Sequence, residues 1–416
     1  MEPIFTPEQL IEIKAYHLPW YIRSAVLPMV NLGLLLLMLG ALNKPYYRFA
    51  EASAARLNNR FRGLRSAPVL RVFFRVFDRL WGGPGWGAAL IFALALQLTF
   101  TILLSPVEFY FSYVLEHRYG MSTYTPLRYF IDTVKTVGMG CMLVACLVFG
   151  LYGLARRTRR WWLVLGVPVA ILMLVASSLI DPYRGRLFFD QQPLEAGPLR
   201  TQLTELLARA DITFADIVVE KTSVISKRVQ AYFAGQGPTR TIVLNDVILR
   251  EFTEGEVVAA VAHEAGHVNE SKWPNRIASS LALVAFLFLI DRFLRLAAAR
   301  GWFGTTQFAD IRTVPMLMLL LFIVMTVFAP ISAWFSRERE READRYALRL
   351  TGDPATFRQM LVKAARVNKM DPEPPRWVVL KGHSHPPIGE RLAAVPPAPE
   401  KRAPAGGLPV LTEPSH

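Results

Sequence analysis

The chain has 416 residues, of which 52% are hydrophobic and 19% are charged. A soluble protein of this length normally has about a quarter charged residues, and the apolar residues here gather in blocks long enough to form membrane-spanning helices. The net charge of +14 comes largely from Lys and Arg residues that border these blocks, as expected at a membrane surface. Composition therefore excludes an ordinary soluble protein, indicates contact with the lipid bilayer, and requires no nucleic-acid partner.

Six apolar blocks predict membrane-spanning helices. They cover residues 25–42, 86–115, 137–155, 161–180, 277–290 and 314–335. Pro106 and Glu108, near the end of the second block, predict a break in that helix. Cys141 and Cys146 both lie in the third block, where neither a disulfide framework nor a metal knuckle is expected. We expect a mainly α, polytopic helical membrane protein with about six spans.

The polar stretch after the fourth block predicts a helix at 199–210 and then a β-hairpin. Two short apolar runs, at 230–234 and 241–244, flank the sequence Gly-Gln-Gly-Pro at 235–238, which favours a turn. An exposed edge of this hairpin would let an extended peptide add as another strand. An ordinary packed hairpin is the alternative interpretation.

His263, Glu264 and His267 form an HExxH motif inside a predicted helix. Thr253 and Glu256 have the pattern of a capping box at the start of this helix. Residues four apart project from the same helix face, so both imidazoles can bind one metal ion. Glu264 is placed to act on the attacking water rather than as a ligand, an arrangement typical of zinc metalloproteases.

A catalytic zinc ion takes three protein ligands, and the third is expected in the charged run at 336–344. This run is predicted to continue the last membrane helix, which brings its carboxylates near the HExxH helix. Periodicity leaves three candidates open: Glu338, Glu340 and Glu342. A solvated helical face with Glu/Arg pairs is the competing interpretation of the same residues.

Four separated stretches, which together span roughly residues 86–395, have the motifs of a known family. They are VLEHRYGMS at 114–122 with Asp132 after it; Val219 and Glu220 with the runs at 230–233 and 242–244; the HExxH helix; and Ser336, Arg337, Glu340 and Asp344 with SHPP at 384–387 and ERL at 390–392. In this order the chain resembles the integral-membrane CAAX prenyl proteases, which are zinc metalloendopeptidases of the gluzincin type. It is similar, more distantly, to bacterial membrane heat-shock metalloproteases.

The resemblance implies several site residues that spacing alone does not assign. The family's third zinc ligand falls on Glu340, and the aspartate that orients a ligating histidine falls on Asp344. His385 is implied to bind substrate or to stabilise the oxyanion, with His383 as its nearby competitor. The implied cofactor is one zinc ion per chain.

The resemblance also implies that Gln230, Ala231 and Tyr232 bind substrate. The family has Asn-Ala-Tyr at this place, so Gln230 departs from its pattern. The family typically has seven membrane helices, whereas six blocks are found here.

Together these features predict a membrane-embedded zinc metalloendopeptidase in which Glu264 takes a proton from the attacking water. The expected substrate is a peptide or membrane protein presented at the bilayer, and the resemblance implies a prenylated CAAX-type C-terminus. One alternative is a quality-control protease that degrades misfolded membrane proteins. A second alternative, from a different class, is a non-catalytic membrane scaffold with a structural zinc, although such a site has no use for Glu264.

Composition and charge also bear on location and on the order of segments. Abundant Ala, Leu and Arg suggest a bacterial inner membrane. The basic segments place the zinc site outside the cytoplasm by the positive-inside rule, whereas the resemblance implies a cytosolic site.

We expect a four-span membrane region (1–180), a catalytic segment (181–276), two further spans (277–335), a second catalytic segment (336–395) and a disordered tail (396–416).

Overall fold

The structure is a computed structural model that describes residues 5–63, 67–81, 85–179, 188–269, 273–302, 305 and 307–397. The predicted tail lies outside the described residues from position 398 onward. The helices are α1 (Pro7–Leu37), α2 (Asn43–Arg60), α3 (Pro68–Trp81), α4 (Trp86–Phe109), α5 (Pro126–Arg157), α6 (Trp161–Leu179), α7 (Pro198–Arg209), α8 (Asp246–Glu251), α9 (Glu254–Asn269), α10 (Trp273–Ala299), α11 (Val314–Thr351), α12 (Pro354–Val367), α13 (Arg376–Gly382) and α14 (Ile388–Ala394). The strands are β1 (Gln191–Pro193), β2 (Asp216–Glu220), β3 (Ala231–Ala234) and β4 (Thr241–Asn245).

Five helical stretches in the described chain are long and apolar enough to cross a membrane. They are Pro7–Arg60, Trp86–Arg118, Pro126–Arg157, Arg276–Ala299 and Ile311–Thr351. A sixth apolar helix, α6, is shorter over Trp161–Leu174 and corresponds to the fourth predicted block, whose last residue, 180, lies outside the described part. The prediction of a polytopic helical protein with about six spans is therefore confirmed.

The first membrane helix is much longer than its apolar block at 25–42. It begins at Pro7 because Thr6 and Gln9 form a capping box, in which the backbone N–H of Thr6 donates to Gln9 Oε1 over 3.0 Å. A π-helical turn, Met38–Leu42, joins α1 to α2, so the helical stretch reaches Arg60 and has 54 residues.

The predicted break at Pro106 is wrong, because α4 continues through this residue to Phe109. A proline in a helix leaves the carbonyl four residues earlier without its usual donor. Here the Ser105 hydroxyl donates to the Ile102 carbonyl oxygen over 2.9 Å, which satisfies that carbonyl. The chain then forms a π-helical turn at Tyr110–Leu115 before this helical stretch ends near Arg118.

The strands form one mixed sheet in the order β1-β2-β4-β3. β2 and β4 are parallel, whereas β3 and β4 form the predicted antiparallel hairpin, with Ala231 opposite Leu244 and Ala234 opposite Thr241. The helix predicted at 199–210 is α7, which lies within one residue of those bounds. β3 therefore stands at one edge of the described sheet.

A shared hydrophobic core fixes α9 next to this sheet. It contains Leu206 of α7, Ile217 of β2, Leu244 of β4, Val261 of α9 and Phe357 of α12, none of which is appreciably exposed. On another side, α9 packs against α11, which runs without interruption from the last membrane span through the charged run, as predicted. The fold thus places the HExxH helix against the part of α11 that extends beyond its apolar span.

Candidate metal centre

The two histidines of the motif project from one face of α9. The capping box that starts this helix is present, because Thr253 N–H donates to Glu256 Oε2 over 2.7 Å and Glu256 N–H donates to Thr253 Oγ1 over 3.3 Å. The imidazole ring centroids of His263 and His267 lie 5.0 Å apart, with the ring planes nearly perpendicular. Local helix geometry therefore brings the rings together, as the four-residue spacing predicts.

Glu340 of α11 lies between these two rings. Its Oε2 is 3.3 Å from His263 Nε2, and its Oε1 is 3.3 Å from His267 Nε2. The other two candidates from the charged run point elsewhere: Glu338 pairs with arginines of its own helix, and Glu342 is exposed. Of the three carboxylates that periodicity could not separate, the packing of α11 on α9 selects Glu340.

The three side chains fit a divalent metal ion. Their potential ligand atoms all lie within 4.8 Å of one another, and two of the separations are 3.3 Å. Tetrahedral zinc with ligands at about 2.0–2.1 Å would hold its ligand atoms about 3.3 Å apart. Glu340 Oε2 is also buried and receives no hydrogen bond of acceptable geometry, so a buried acceptor is left for a cation. Two histidines and a glutamate are a recurring donor set of catalytic zinc sites.

Asp344, which is itself bound by Arg391, contacts the His263 ring at Nδ1, the nitrogen that does not face Glu340. Asp344 Oδ1 lies 2.8 Å from His263 Nδ1, and Arg391 donates two hydrogen bonds to the Asp344 carboxylate, of 2.6 and 2.9 Å. Burial lowers the pKa of His263, but the neighbouring carboxylates of Asp344 and Glu340 outweigh it and raise that pKa to about 9. A carboxylate on the far nitrogen of an imidazole orients the ring and directs its other nitrogen toward the metal position.

Glu264 lies among these groups without a hydrogen-bond partner in the described residues. Burial raises its pKa, while the nearby His263 and His267 act in the opposite direction. A carboxylate with a raised pKa is better suited to accept and return a proton near neutral pH. The position and the chemistry of this side chain therefore agree with a general base.

His385 also reaches the site. Its Nδ1 lies 2.9 Å from Glu340 Oε2, and 63% of its side chain is exposed. Arg337 supports the loop that carries it, by donating to the carbonyl oxygens of Val379 and His383 over 2.9 and 2.8 Å. Of the two histidines in this loop, His385 is the one whose ring lies beside Glu340.

The predicted substrate strand lies at the edge of the sheet. Gln230 and Asn245 are joined on the β4 side, since Asn245 N–H donates to the Gln230 carbonyl over 3.1 Å and Gln230 N–H donates to Asn245 Oδ1 over 3.1 Å. In an antiparallel pair the inward hydrogen bonds alternate along the strand. The backbone groups of Tyr232 then face β4, and those of Ala231 and Phe233 face the outer edge. The Tyr232 hydroxyl donates to Glu220 over 3.1 Å.

Three residues that sequence reasoning gave no role are essential to this geometry. A β-carbon on Gly266 would lie only 2.7 Å from Ala343 Cα, so glycine lets α9 and α11 approach closely enough to bring Glu340 to the histidines. Arg391 neutralises Asp344, and Arg337 supports the His385 loop. The available signals were Gly266 inside the HExxH motif, and the presence of Arg337 and Arg391 in the stretches that carry the family resemblance.

The fold and the site together define a class of protein: a membrane-embedded metallohydrolase with a His-His-Glu centre at the end of its spans. Comparison with known families narrows this class. The model described as peptidase family M48 matches residues 193–397, and the model described as CAAX prenyl protease N-terminal, five membrane helices, matches residues 56–184. The chain belongs to peptidase family M48 and is a membrane metalloprotease.

Individual relatives agree with this assignment. The uncharacterized metalloprotease YhfN of Bacillus subtilis is 26% identical over 309 residues, which cover 72% of this chain and 71% of the relative. The probable CAAX prenyl protease 1 of Schizosaccharomyces pombe is 29% identical over 321 residues, which cover 73% of this chain and 65% of the relative. The crystal structure of S. mikatae Ste24p has the same fold, with a TM-score of 0.68 at 20% identity over 94% of this chain and 100% of that chain.

Proposed function

We propose that this protein is a zinc-dependent endopeptidase that hydrolyses peptides presented at the membrane. The observation that carries the proposal is the convergence of His263, His267 and Glu340 beside Glu264. A zinc ion held by these three side chains would polarise the scissile carbonyl and lower the pKa of the attacking water. The general base counts against a purely structural zinc site, because such a site has no proton to move.

The protein's own residues then have separate tasks. Glu264 accepts the proton of the attacking water and delivers it to the leaving amine. His385, whose exposed ring lies beside Glu340, donates a hydrogen bond to the carbonyl oxygen as negative charge develops there. Asp344 and Arg391 keep His263 in its ligating orientation throughout.

The edge strand β3 supplies a place for the substrate backbone. An extended peptide can pair with the outward N–H and C=O groups of Ala231 and Phe233, in the manner of an added strand. Gln230 contributes its exposed side chain, because its backbone already pairs with Asn245. The proposed backbone contacts thus fall on Ala231, which belongs to the predicted 230–232 segment, and on Phe233, which lies just after it.

The substrate is proposed to be a peptide at the membrane surface, with a prenylated CAAX-type C-terminus as one form of it. The name of the Schizosaccharomyces pombe relative supports the prenylated form. The Bacillus subtilis relative and the composition support a bacterial inner membrane, where a wider range of membrane-presented peptides is the better expectation. We therefore propose a broader membrane endopeptidase rather than a strict CAAX enzyme.

Replacing the base while keeping the ligands tests the proposal. Glu264→Gln should abolish cleavage of both a farnesylated peptide and a casein-like protein, while zinc content stays near one ion per chain. The control is Glu342→Gln, which removes an exposed carboxylate from α11. This variant should cleave both substrates at the wild-type rate. Full activity of the Glu264 variant, or activity that survives complete removal of metal by a chelator, would disprove the mechanism.

A further inference from the structure

The first part of α1 binds the 368–385 segment, which runs from the end of α12 through α13 to the exposed histidine of the metal centre. His17 Nε2 lies 2.7 Å from the Lys369 carbonyl oxygen, which accepts its hydrogen bond. The Tyr21 hydroxyl donates to Asp371 Oδ2 over 2.6 Å. These two α1 residues are four positions apart and therefore share one face of the helix. One face of α1 thus fixes the beginning of the 368–385 segment.

Lys369 has a backbone conformation that is unusual for a lysine. Its φ is +48°, in the left-handed region, and it follows the C-cap of α12, a position where glycine is usual. A β-carbon makes this conformation less favourable than it is for glycine. Here Lys369 Nζ forms an ion pair with Glu12, and its carbonyl oxygen is bound by His17. Contacts with α1 at both the side chain and the carbonyl therefore stabilise this conformation.

The end of the 368–385 segment is attached to α1 and to α11. Lys381 Nζ donates to the Ser24 carbonyl oxygen of α1. Arg337 of α11 donates to the carbonyl oxygens of Val379 and His383. The exposed histidine of the metal centre follows two residues after the last of these contacts. Its place therefore depends on how α1 and α11 hold the residues before it.

The edge strand β3 has attachments that do not involve Tyr21. Asn368 binds both backbone groups of Val229, with distances of 3.0 and 3.3 Å. Asn245 binds both backbone groups of Gln230 over 3.1 Å each. Loss of the Tyr21 hydroxyl therefore leaves these attachments of β3 intact.

We propose that Tyr21 and His17 are positioning residues, which hold His385 where it can donate to the oxyanion. The inference rests on the proposed peptidase function. The His385 side chain is 63% exposed, and its Nδ1 lies 2.9 Å from Glu340 Oε2. A donor stabilises an oxyanion only within a narrow range of distance, and a displacement of about 1 Å can lower a rate by about 100-fold. α1 thus acts on the reaction through the 368–385 segment.

Removing single hydrogen bonds tests this role in the full-length, detergent-solubilised protein. On a fluorogenic peptide that the wild type cleaves, Tyr21→Phe should lower kcat by about tenfold and leave KM and zinc content unchanged. His17→Phe, which keeps an aromatic ring, should act in the same direction. Asp371→Asn should retain more activity than Asp371→Ala, because the amide can still bind the Tyr21 hydroxyl. Tyr110→Phe is the control, since this hydroxyl makes no hydrogen bond within the described part of the chain, and it should have the wild-type kcat.

A His385→Ala background separates positioning from a general effect on stability. This variant alone should lose the oxyanion contact and about 100-fold or more in kcat. Tyr21→Phe should then cause no further loss, because the group that it positions is already absent. A similar loss of kcat in both backgrounds would overturn the inference, since the tyrosine would then act on something other than His385.

Hydrogen exchange gives a readout without turnover. In the metal-free protein, Tyr21→Phe should speed amide exchange at residues 376–385 and leave the exchange of α9 unchanged. Equal exchange at 376–385 in the variant and in an active wild type would refute the role of α1 alone. A wild type that cleaves no peptide would instead refute the proposed function.

Discussion

Arg228 and Glu116 form an ion pair, with the carboxylate buried and the guanidinium partly exposed, that joins the last turn of the second membrane helix to the segment leading into β3. Two hydrogen bonds of 2.7 and 3.1 Å connect the guanidinium to the carboxylate. Tyr16 of α1 completes the cluster by donating to Glu116 Oε1 over 2.6 Å. Glu116 is only 6% exposed, so this contact fixes the edge strand relative to two membrane helices.

Removing only one partner of the Arg228–Glu116 ion pair should lower the stability of the protein. Arg228→Ala leaves the Glu116 carboxylate buried without its cation, and we expect a loss of about 3 kcal/mol in stability together with a higher KM if β3 binds substrate. The double variant Glu116→Gln with Arg228→Met removes both charges and should recover much of the loss. Thermal unfolding and peptide kinetics measure both effects. A double variant as unstable as the single one would show that the pair is not the source of the stability.

Gly266 should not tolerate a side chain. A β-carbon there would lie 2.7 Å from the backbone of Ala343, so Gly266→Ala must push α11 away from α9 and move Glu340 from the histidines. We expect a loss of about 1–3 kcal/mol or more in stability and weaker metal binding. Gly138→Ala is the matched control, because a β-carbon on this α5 residue meets nothing within 4 Å. Wild-type metal affinity in the Gly266 variant would contradict the proposed close approach.

Arg391 should act on the metal through Asp344 and His263. Its removal leaves the Asp344 carboxylate without two short hydrogen bonds, which frees Asp344 to shift and releases the His263 ring from a fixed orientation. Arg391→Ala should lower metal affinity by about 10- to 100-fold, measured by competition with a chromophoric chelator. Arg345→Ala, which removes an exposed arginine from α11, should leave that affinity unchanged. Equal affinities in the two variants would rule out this role for Arg391.

Metal binding should release a proton in the neutral range. In the metal-free protein the pKa of His263 is about 9, above its ordinary value of 6.5, so the imidazole is protonated at neutral pH and must lose that proton to become a ligand. Protonated His263 stabilises the metal-free fold fully below about pH 6.5, and this contribution is lost as pH rises through about 9. Zinc uptake at pH 7.5 should release about one proton from His263.

The same linkage predicts how metal removal affects stability. A chelator should abolish peptide cleavage, because the water then lacks its activating cation. The difference in melting temperature between the zinc-bound and metal-free proteins should widen from pH 6.5 to pH 9 as the metal-free protein loses the His263 contribution. Differential scanning fluorimetry across this range measures the difference. A constant difference over this range would show that His263 is not protonated in the metal-free site.

Features that depend on residues a few positions apart could be predicted from the sequence, whereas two helix boundaries could not. The HExxH face, its capping box and the β3–β4 hairpin depend on residues a few positions apart, so periodicity and turn chemistry were sufficient. The break at Pro106 was predicted wrongly because the Ser105 hydroxyl replaces the missing donor. The first membrane helix was predicted too short because hydropathy does not detect the cap at Thr6.

The sequence by itself determined that the chain spans a membrane and that two histidines share one helix face, because composition and 3.6-residue periodicity act within a single element. Periodicity left Glu338, Glu340 and Glu342 as equal candidates, and only the resemblance to a known family pointed to Glu340. Only the tertiary structure gives the physical reason for Glu340, since the choice depends on how α11 packs across Gly266 and which of its faces meets α9. Arg391 reaches Asp344 for the same reason: contacts between distant segments are set by the packing of whole helices, which no local pattern encodes.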